Sequence, residues 1–351
     1  MDLWQYLSAS EKTVVIYGMG NGADKILNVC EKYDISIADF FASDGFVRGQ
    51  SFHGKTVLSF ADILQKYDKD NNIVLVAFAS SLPEVIKAII HIAELCETYI
   101  PDVPVRGDTL YCEEFESINK DKLSAACSLL ADERSREVFK LVQEFKRTGR
   151  IDYLLQSADD KDVVLNSLLN FSEYKIAADI GAYNGDTAEE LISRSPNIEK
   201  IFAFEPDRRN FKKLQQSATS HSQIIPINAA AWNVNTTLVF DDSGNRNAGI
   251  IEEGVSKRRA EVSAVALDDI INEKIDYIKY DVEGAEKEAL IGSRNTIEKF
   301  SPDLLVSLYH RTEDLHELIL LVHEICPNYK LYLRRYQYIP AWDLNLYATN
   351  K

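Results

Sequence analysis

The stretch AADIGAYNGDT, from Ala177 to Thr187, decides the fold. Its apolar start predicts a strand that ends near Ile180, and two glycines, Gly181 and Gly185, then precede a predicted helix. Glycines at the tip of a strand–turn–helix unit let the backbone approach a ligand closely, and the helix start presents unpaired N–H groups. The stretch therefore predicts a β/α unit that binds a polar cofactor.

More β/α units follow this one along the chain. Further strand-like runs are KIFAFEP, QIIPINAAAW, KIDYIKYDVEG and DLLVSLYH, and the end, YKLYLRRYQYIPAWDLNLYAT, reads as two aromatic-rich strands joined by a proline-containing turn. Short apolar runs that alternate with helices predict a parallel sheet. The segment Asp241–Ala260 is glycine-rich, and it is either part of a lid over an acceptor or an ordinary hairpin loop.

The chain of 351 residues is long enough for two domains. Strands and helices also alternate before residue 101, whereas the region around LADERSREVFKLVQEFKRTGR has a helical period and no strand-like run. We predict a small N-terminal α/β domain over residues 1–108, a helical connector over 109–172 and a larger α/β domain over 173–351.

Composition limits the classes of partner. The formal net charge is -16, from 39 basic and 55 acidic residues, which disfavours a broad nucleic-acid or anionic-membrane surface. The five cysteines form no C-x-x-C pair, so neither a disulfide framework nor a structural zinc site is expected. No signal peptide and no membrane-spanning run are evident. We expect a reduced, soluble, cytoplasmic protein.

Polar side chains follow each predicted strand of the larger domain. They are, in chain order, Asp179, Glu205, Asn228, Asp281 with Glu283, and His310. Ligands of open α/β sheets bind at the carboxyl ends of the strands, so these side chains predict one site. Carboxylates there would repel a pyrophosphate but suit the ammonium and sulfonium of S-adenosylmethionine. Glu205 would accept hydrogen bonds from the ribose hydroxyls of that cofactor.

The motifs DIGAYNGDT, FAFEPDRRNFKKL, INAAAW, IDYIKYDVEGAEKEAL and LLVSLYHRTEDL occur in this order. Together they resemble the FkbM-type family of S-adenosylmethionine-dependent methyltransferases, over about residues 129–348. The resemblance implies a class I methyltransferase fold, which is a Rossmann-like, mostly parallel sheet with an antiparallel terminal hairpin strand. It also implies S-adenosylmethionine as the cofactor.

The resemblance implies cofactor contacts from the first turn and from the neighbouring strand ends. The residues are Asp179, Gly181, Ala182, Tyr183, Gly185, Asp186, Thr187, Glu205, Pro206, Asn228, Ala229 and Asp281. The first turn would hold the methionine part of the cofactor, and Glu205 its ribose. Asn228 and Ala229 fall where many methyltransferases contact adenine, often through an acid.

Methyl transfer to a hydroxyl needs help with the proton, because a hydroxyl is a weak acid. We expect His310 to act as the general base beside the transferred methyl, with Asp281 and Glu283 orienting the base or the acceptor. The same three residues also suit a divalent cation, and the sequence does not separate a base from a metal ligand. No metal is predicted.

The acceptor class is indicated by the run DVEG after the fourth strand. Enzymes that methylate amino groups of bases often carry an Asn/Asp-Pro-Pro-aromatic tetrapeptide there. We therefore expect a hydroxyl of a sugar, glycan or natural product as the acceptor, and no nucleic-acid partner.

A second candidate site lies in the N-terminal domain. GMGNGA, Gly18–Ala23, fits a G-x-G-x-x-A pattern, and Asp44 follows at the interval of a ribose-binding acid. Gly18, Gly20, Gly22 and Asp44 thus form a candidate nucleotide site. Residues 12–100 also resemble the small Rossmann-like domains that precede sugar-modifying acyltransferases and some sugar methyltransferases.

This motif leaves two alternatives open. One is an NAD(P)- or nucleotide-sugar-dependent enzyme or binding protein that uses the N-terminal domain. The other is that the glycines only permit tight packing of a strand against a helix.

Overall fold

The computed structural model describes residues 1–241 and 259–350. The strands are β1 Thr13–Tyr17, β2 Ile37–Phe41, β3 Ser51–Phe52, β4 Lys55–Thr56, β5 Asn72–Val76, β6 Glu97–Tyr99, β7 Ile176–Ile180, β8 Lys200–Phe204, β9 Ile224–Ile227, β10 Ala230–Ala231, β11 Thr236–Asp241, β12 Arg259–Val265, β13 Tyr277–Tyr280, β14 Asp303–Ser307, β15 Lys330–Arg335 and β16 Leu344–Thr349. The helices are α1 Leu3–Ala9, α2 Asn21–Lys32, α3 Phe60–Lys66, α4 Pro83–Leu95, α5 Glu113–Ser128, α6 Glu133–Thr148, α7 Ile151–Ser157, α8 Lys161–Leu168, α9 Asp186–Arg194, α10 Arg208–Ser220, α11 Leu267–Ile270, α12 Glu286–Ile291, α13 Arg294–Phe300 and α14 Asp314–Ile325.

The first sheet has the strand order β2-β1-β5-β6, and all of its pairings are parallel. Along β1, Val14 and Ile16 pack in the same core cluster as Ile26 of α2, whereas Val15 packs with Ile89 of α4. Successive strand residues face opposite sides of a sheet, so α2 and α4 cover opposite faces. This is the small Rossmann-like unit that the alternating pattern predicts.

The glycine turn between β1 and α2 is tightly packed. A Cβ atom on Gly22 would lie 2.2 Å from the carbonyl oxygen of Ala77, the residue that follows β5. A Cβ on Gly18 would lie 2.8 Å from a ring carbon of Phe78. Both glycines therefore serve the packing of the turn against the neighbouring strand end.

The second sheet has the strand order β15-β16-β14-β13-β7-β8-β9. Strands β14, β13, β7, β8 and β9 pair in parallel, and β16 runs antiparallel to both β14 and β15. The predicted class I arrangement, a mostly parallel sheet with an antiparallel terminal hairpin strand, is confirmed. A small three-stranded sheet of β10, β12 and β11 flanks it.

Helices α5 to α8 lie between the two sheets along the chain, in the region predicted to be a helical connector. Asp132 caps α6 by accepting a hydrogen bond from the Ser135 N–H, and Gly149 ends it in a left-handed conformation with φ 66. The buried face of α6 contains Val138, Phe139, Val142 and Phe145.

The connector contacts both sheets. On one side, the hydroxyl of Ser135 accepts a hydrogen bond from the backbone N–H of Leu333 in β15, at 2.9 Å. On the other side, the buried Nζ of Lys146 lies 2.9 Å from Asp102, just beyond β6. The bounds of the predicted domains, 1–108, 109–172 and 173–351, stay a prediction.

Most of the segment Asp241–Ala260, which was expected to be either a lid or a hairpin loop, lies outside the described residues. The two strands that flank it, β11 and β12, pair with each other antiparallel. In the described parts of the chain, no helix has the length and apolarity needed to cross a membrane.

The tight packing of the N-terminal turn predicts that a larger residue there lowers the stability of the protein. Replacing Gly22→Ala should lower the free energy of unfolding by about 1–3 kcal/mol, because the new methyl group has no room against the carbonyl of Ala77. The matched control is Gly45→Ala, since an added Cβ there meets no atom within 4 Å. That change should stay within about 0.5 kcal/mol of the parent. Urea denaturation, followed by the fluorescence of the buried Trp4 and by circular dichroism, measures both. Equal stability of the two variants would contradict this packing.

Candidate active site

The turn after β7 lies against the end of β13. A Cβ atom on Gly181 would lie 1.9 Å from the carbonyl oxygen of Asp281, and Gly181 has a φ of +91. Only glycine fits both constraints. Gly185, with a φ of +97, caps α9, and Ala182 is buried under the turn. The turn thus brings the ends of two adjacent strands together.

Glu205 follows β8 and is held by this turn. Its Oε2 accepts a hydrogen bond from the backbone N–H of Tyr183 at 2.9 Å, and its Oε1 accepts one from Asp207 N–H at 2.8 Å. Burial raises the pKa of Glu205 to about 7, and the two backbone hydrogen bonds oppose that rise only in part. Each oxygen keeps a further lone pair, so the carboxylate has room for two more donors.

Lys279 bridges the acids of two neighbouring strands. Its Nζ lies 3.6 Å from Asp179 Oδ1 and 3.5 Å from Asp281 Oδ2. Burial alone would lower the pKa of Lys279, but the charges of Asp179 and Asp281 outweigh it and raise the pKa above its ordinary value. Asp179 also accepts a hydrogen bond from the hydroxyl of Thr187 at the start of α9. The sequence analysis missed Lys279, although it shares a strand face with Asp281 by the two-residue alternation.

Asp281 and Glu283 form the acidic end of β13. Burial would raise the pKa of Asp281, but Lys279 and then His310 lower it below the usual value, and the Tyr309 hydroxyl donates to Oδ1 at 3.0 Å. Glu283 has a φ of +54, and burial raises its pKa to about 7. Its Oε2 has no hydrogen-bond partner among the described residues.

The structure places His310 behind these acids, which corrects the expectation that it borders the reacting groups. Its side chain is fully buried, with Nε2 3.6 Å from Asp281 Oδ1 and 3.7 Å from Glu283 Oε2. Nδ1 lies 2.9 Å from Glu286 Oε1. Burial would lower the pKa of His310, but the charge of Glu286, ahead of those of Glu283 and Asp281, raises it to about 10. An imidazole that keeps its proton at neutral pH is not a ready base.

An aromatic wall stands beside the acids at this end of the sheet, where the Tyr309 hydroxyl contacts Asp281. Tyr338 and Trp342, from the connection between β15 and β16, lie near Tyr309, with Trp342 ring-centroid distances of 5.6 Å to Tyr338 and 6.2 Å to Tyr309. The sequence analysis read this connection only as a proline-containing turn. Its run of aromatic residues was the available signal.

These side chains enclose a cavity of about 450 Å³ at the carboxyl ends of the strands. Of the residues predicted from the sequence, the cavity is lined by Gly181, Tyr183, Asp186, Thr187, Glu205, Pro206, Ala229, Asp281 and Glu283. The predicted residues that do not line it are Asp179, Ala182, Gly185, Asn228 and His310. The amide of Asn228 instead donates to the carbonyl of Glu205 at 2.8 Å and so joins the ends of β8 and β9. Asp179 lines a smaller neighbouring cavity of about 170 Å³.

The N-terminal glycine turn borders a separate cavity of about 240 Å³. Of the predicted nucleotide residues, Gly22 lines this cavity, while Gly18, Gly20 and Asp44 do not. Asp44 lies exposed in a short turn after β2. Val105 and Trp342 line both this cavity and the larger one.

Known proteins resemble this chain in sequence and in fold. A family model described as the methyltransferase FkbM domain matches residues 179–339. No curated protein matches the chain. The crystal structure of methyltransferase FkbM from Methylobacillus flagellatus KT is similar, with a TM-score of 0.74 and 22% identity over 97% of this chain and 90% of that chain.

Two other solved structures overlap only part of the fold. Precorrin-6y C5,15-methyltransferase from Geobacter metallireducens GS-15 has a TM-score of 0.35 and 12% identity, over 54% of this chain and 87% of that one. Aeropyrum pernix fibrillarin, solved with natively bound S-adenosyl-L-methionine, has a TM-score of 0.35 and 14% identity, over 52% of this chain and 69% of that one. The match of the family model to residues 179–339 identifies this part of the chain as a methyltransferase domain of the FkbM family.

Proposed function

We propose that the chain is an S-adenosylmethionine-dependent O-methyltransferase whose acceptor is a hydroxyl of a sugar, glycan or natural product. The observation that carries this proposal is the acid-lined cavity at the carboxyl ends of the second sheet. Its carboxylic residues are Asp186, Glu205, Asp207, Asp281, Glu283 and Asp343. Among the described residues that line it, Lys279 is the one lysine or arginine, and it is paired with Asp179 and Asp281.

The charge of this cavity fits a ligand that carries positive groups. Glu205 presents buried carboxylate oxygens, each with one backbone donor already in place, which suits the paired hydroxyls of a ribose. Anions such as a pyrophosphate would meet repulsion from the neighbouring acids. When bound, S-adenosylmethionine supplies a methyl carbon that accepts an electron pair from a nucleophile, while the electrons of the broken carbon–sulfur bond stay on sulfur.

Glu283 is the best-placed acceptor for the proton of the attacking hydroxyl. It lines the cavity, and its side chain is partly exposed there. His310 is separated from the cavity by Asp281 and Glu283 and acts on both as a buried partner. We therefore assign the base to Glu283 and the positioning of the two acids to His310, which replaces the earlier expectation for the histidine.

The aromatic wall supports a small acceptor with flat apolar faces. Tyr309, Tyr338 and Trp342 line the cavity together with the acids. A sugar ring or a natural product can pack an apolar face on such rings while its hydroxyls reach the carboxylates. The net charge of -16 adds support for a small-molecule acceptor over a nucleic acid.

Cofactor binding is tested by titration calorimetry with S-adenosylhomocysteine and, separately, with NADH. S-adenosylhomocysteine should bind to the parent chain. Glu205→Gln should weaken this binding about tenfold or more, because the amide replaces one acceptor oxygen with a donor. Glu189→Gln is the matched control and should bind like the parent, since the exposed Glu189 carboxylate contacts Ser217 and His221 and does not line the cavity. If NADH binds and S-adenosylhomocysteine does not, the proposal is overturned in favour of the N-terminal site.

The affinity for S-adenosylhomocysteine should depend on pH through Glu205. Burial raises the pKa of Glu205 to about 7, and the ionised form is the better acceptor for ribose hydroxyls. Affinity should therefore fall about tenfold from pH 8 to pH 6, as the carboxylate takes up a proton. Calorimetry across this range measures the effect. Glu205→Gln should flatten the profile, and a profile that stays steep in this variant would assign the titration to another group.

The base assignment is tested with an acceptor found by screening nucleotide sugars and glycans for methyl transfer. Glu283→Gln should lower kcat by about a hundredfold or more, because the acceptor proton loses its base. Affinity for S-adenosylhomocysteine should change little, and the Glu189→Gln control should keep full turnover. Full turnover in Glu283→Gln would remove Glu283 from the chemistry.

A further inference from the structure

A group of buried polar atoms lies under the acidic wall of the cavity. Glu286, at the start of α12, is fully buried, and its Oε1 accepts backbone hydrogen bonds from Val282 at 2.8 Å and Gly284 at 3.4 Å. Its Oε2 makes no hydrogen bond with any described residue. The two ring nitrogens of the fully buried His310 are likewise not aligned for a hydrogen bond with any described group. Buried polar atoms of this kind are costly unless something pairs with them.

Acidic side chains surround His310, and the cations Lys279, near Asp281, and Arg106, near Glu283, offset part of their charge. Carboxyl oxygens of Asp281, Glu283 and Glu286 all lie within 3.7 Å of its ring nitrogens. The buried Asp314 adds a further acid close enough to interact with both Glu286 and His310. The guanidinium of the adjacent Arg311 donates through Nε to the carbonyl of Gly284. Several acids around one imidazole favour an additional positive charge in this space.

The geometry points to a divalent cation site formed by Asp281, Glu286 and His310. One ligand atom from each of the three lies within 4.8 Å of the others, which is the spacing of donors around a single small ion. Asp281 and Glu286 would each supply one carboxylate oxygen, and His310 one ring nitrogen. Glu283 lies 3.7 Å from His310 Nε2 and is the nearest further acid.

The donor set indicates the class of ion. Two carboxylates and one imidazole form a mixed oxygen and nitrogen set without thiolates, which suits Mn²⁺ and related first-row divalent ions better than copper(I) or an iron–sulfur cluster. Asp281 lines the cavity, so an ion can reach the site from that side.

The effect of a bound cation on methyl transfer rests on the proposed function. An ion at this position would stand next to Asp281 and Glu283, the two acids placed beside the acceptor hydroxyl. Its positive charge would then stabilise negative charge that develops on the acceptor oxygen.

The test is a titration of the full chain with Mn²⁺, after treatment with a chelator and exchange into metal-free buffer. Electron paramagnetic resonance of free Mn²⁺ should show one bound ion per chain. Asp281→Asn should weaken binding about tenfold or more, since one charged ligand is lost. Glu317→Gln is the matched control, because this carboxylate pairs with Lys287 on the protein surface, and it should bind Mn²⁺ like the parent.

A second readout keeps the test independent of folding defects in variants. Bound Mn²⁺ in the parent chain should show coupling to an imidazole nitrogen in pulsed paramagnetic resonance, and His310→Gln should lose that coupling. No saturable binding at millimolar Mn²⁺, or equal affinity in Asp281→Asn, would overturn the site.

S-Adenosylhomocysteine binding, measured on the same samples, separates the two proposals. If the homocysteine compound binds and Mn²⁺ does not, the cation site alone fails. If Mn²⁺ binds and the homocysteine compound does not, the proposed function fails and the cation site stands.

Discussion

The ion contacts of Lys279 with Asp179 and Asp281 are the interaction on which the site depends. These charges come from two neighbouring strands, β7 and β13; Asp179 and Lys279 are largely buried, and Asp281 is partly exposed. Buried charges are tolerated only when they are paired, so the three groups fix one another. Gly181 makes the arrangement sterically feasible, since a side chain at that position would collide with the end of β13. The acid-rich cavity is therefore a product of strand-end packing rather than of any one loop.

Much of this architecture could be predicted from local sequence patterns. The alternation of strands and helices gave both parallel sheets, and the aromatic-rich end gave the antiparallel pair of β15 and β16. The positions of Glu205, Asp281 and Glu283 could be expected, because the carboxyl ends of parallel strands meet at one edge. For these residues, the local pattern and the global fold agree.

The rest depends on contacts that no local pattern contains. His310 does follow β14, but the chain turns its ring inward to Glu286, a partner that a sequence period cannot identify. Lys279 lies between apolar neighbours in a strand, and its role is visible only from the strand pairing that places Asp179 beside it. Trp342 reaches the cavity from a connection whose course is set by the pairing of β15 with β16. Asn228 shows the converse, since its position fits a ligand contact but its amide is used to join two strand ends.

Trp342 stands between the larger cavity and the space beside the N-terminal glycine turn, and Val105 accompanies it on both sides. The indole ring of Trp342 therefore borders both cavities. The size of a molecule that can enter beside the second sheet is thus limited in part by Trp342 and Val105. A smaller residue in place of Trp342 would join the two cavities. The size of molecule that the protein accommodates can therefore change without any alteration of either sheet.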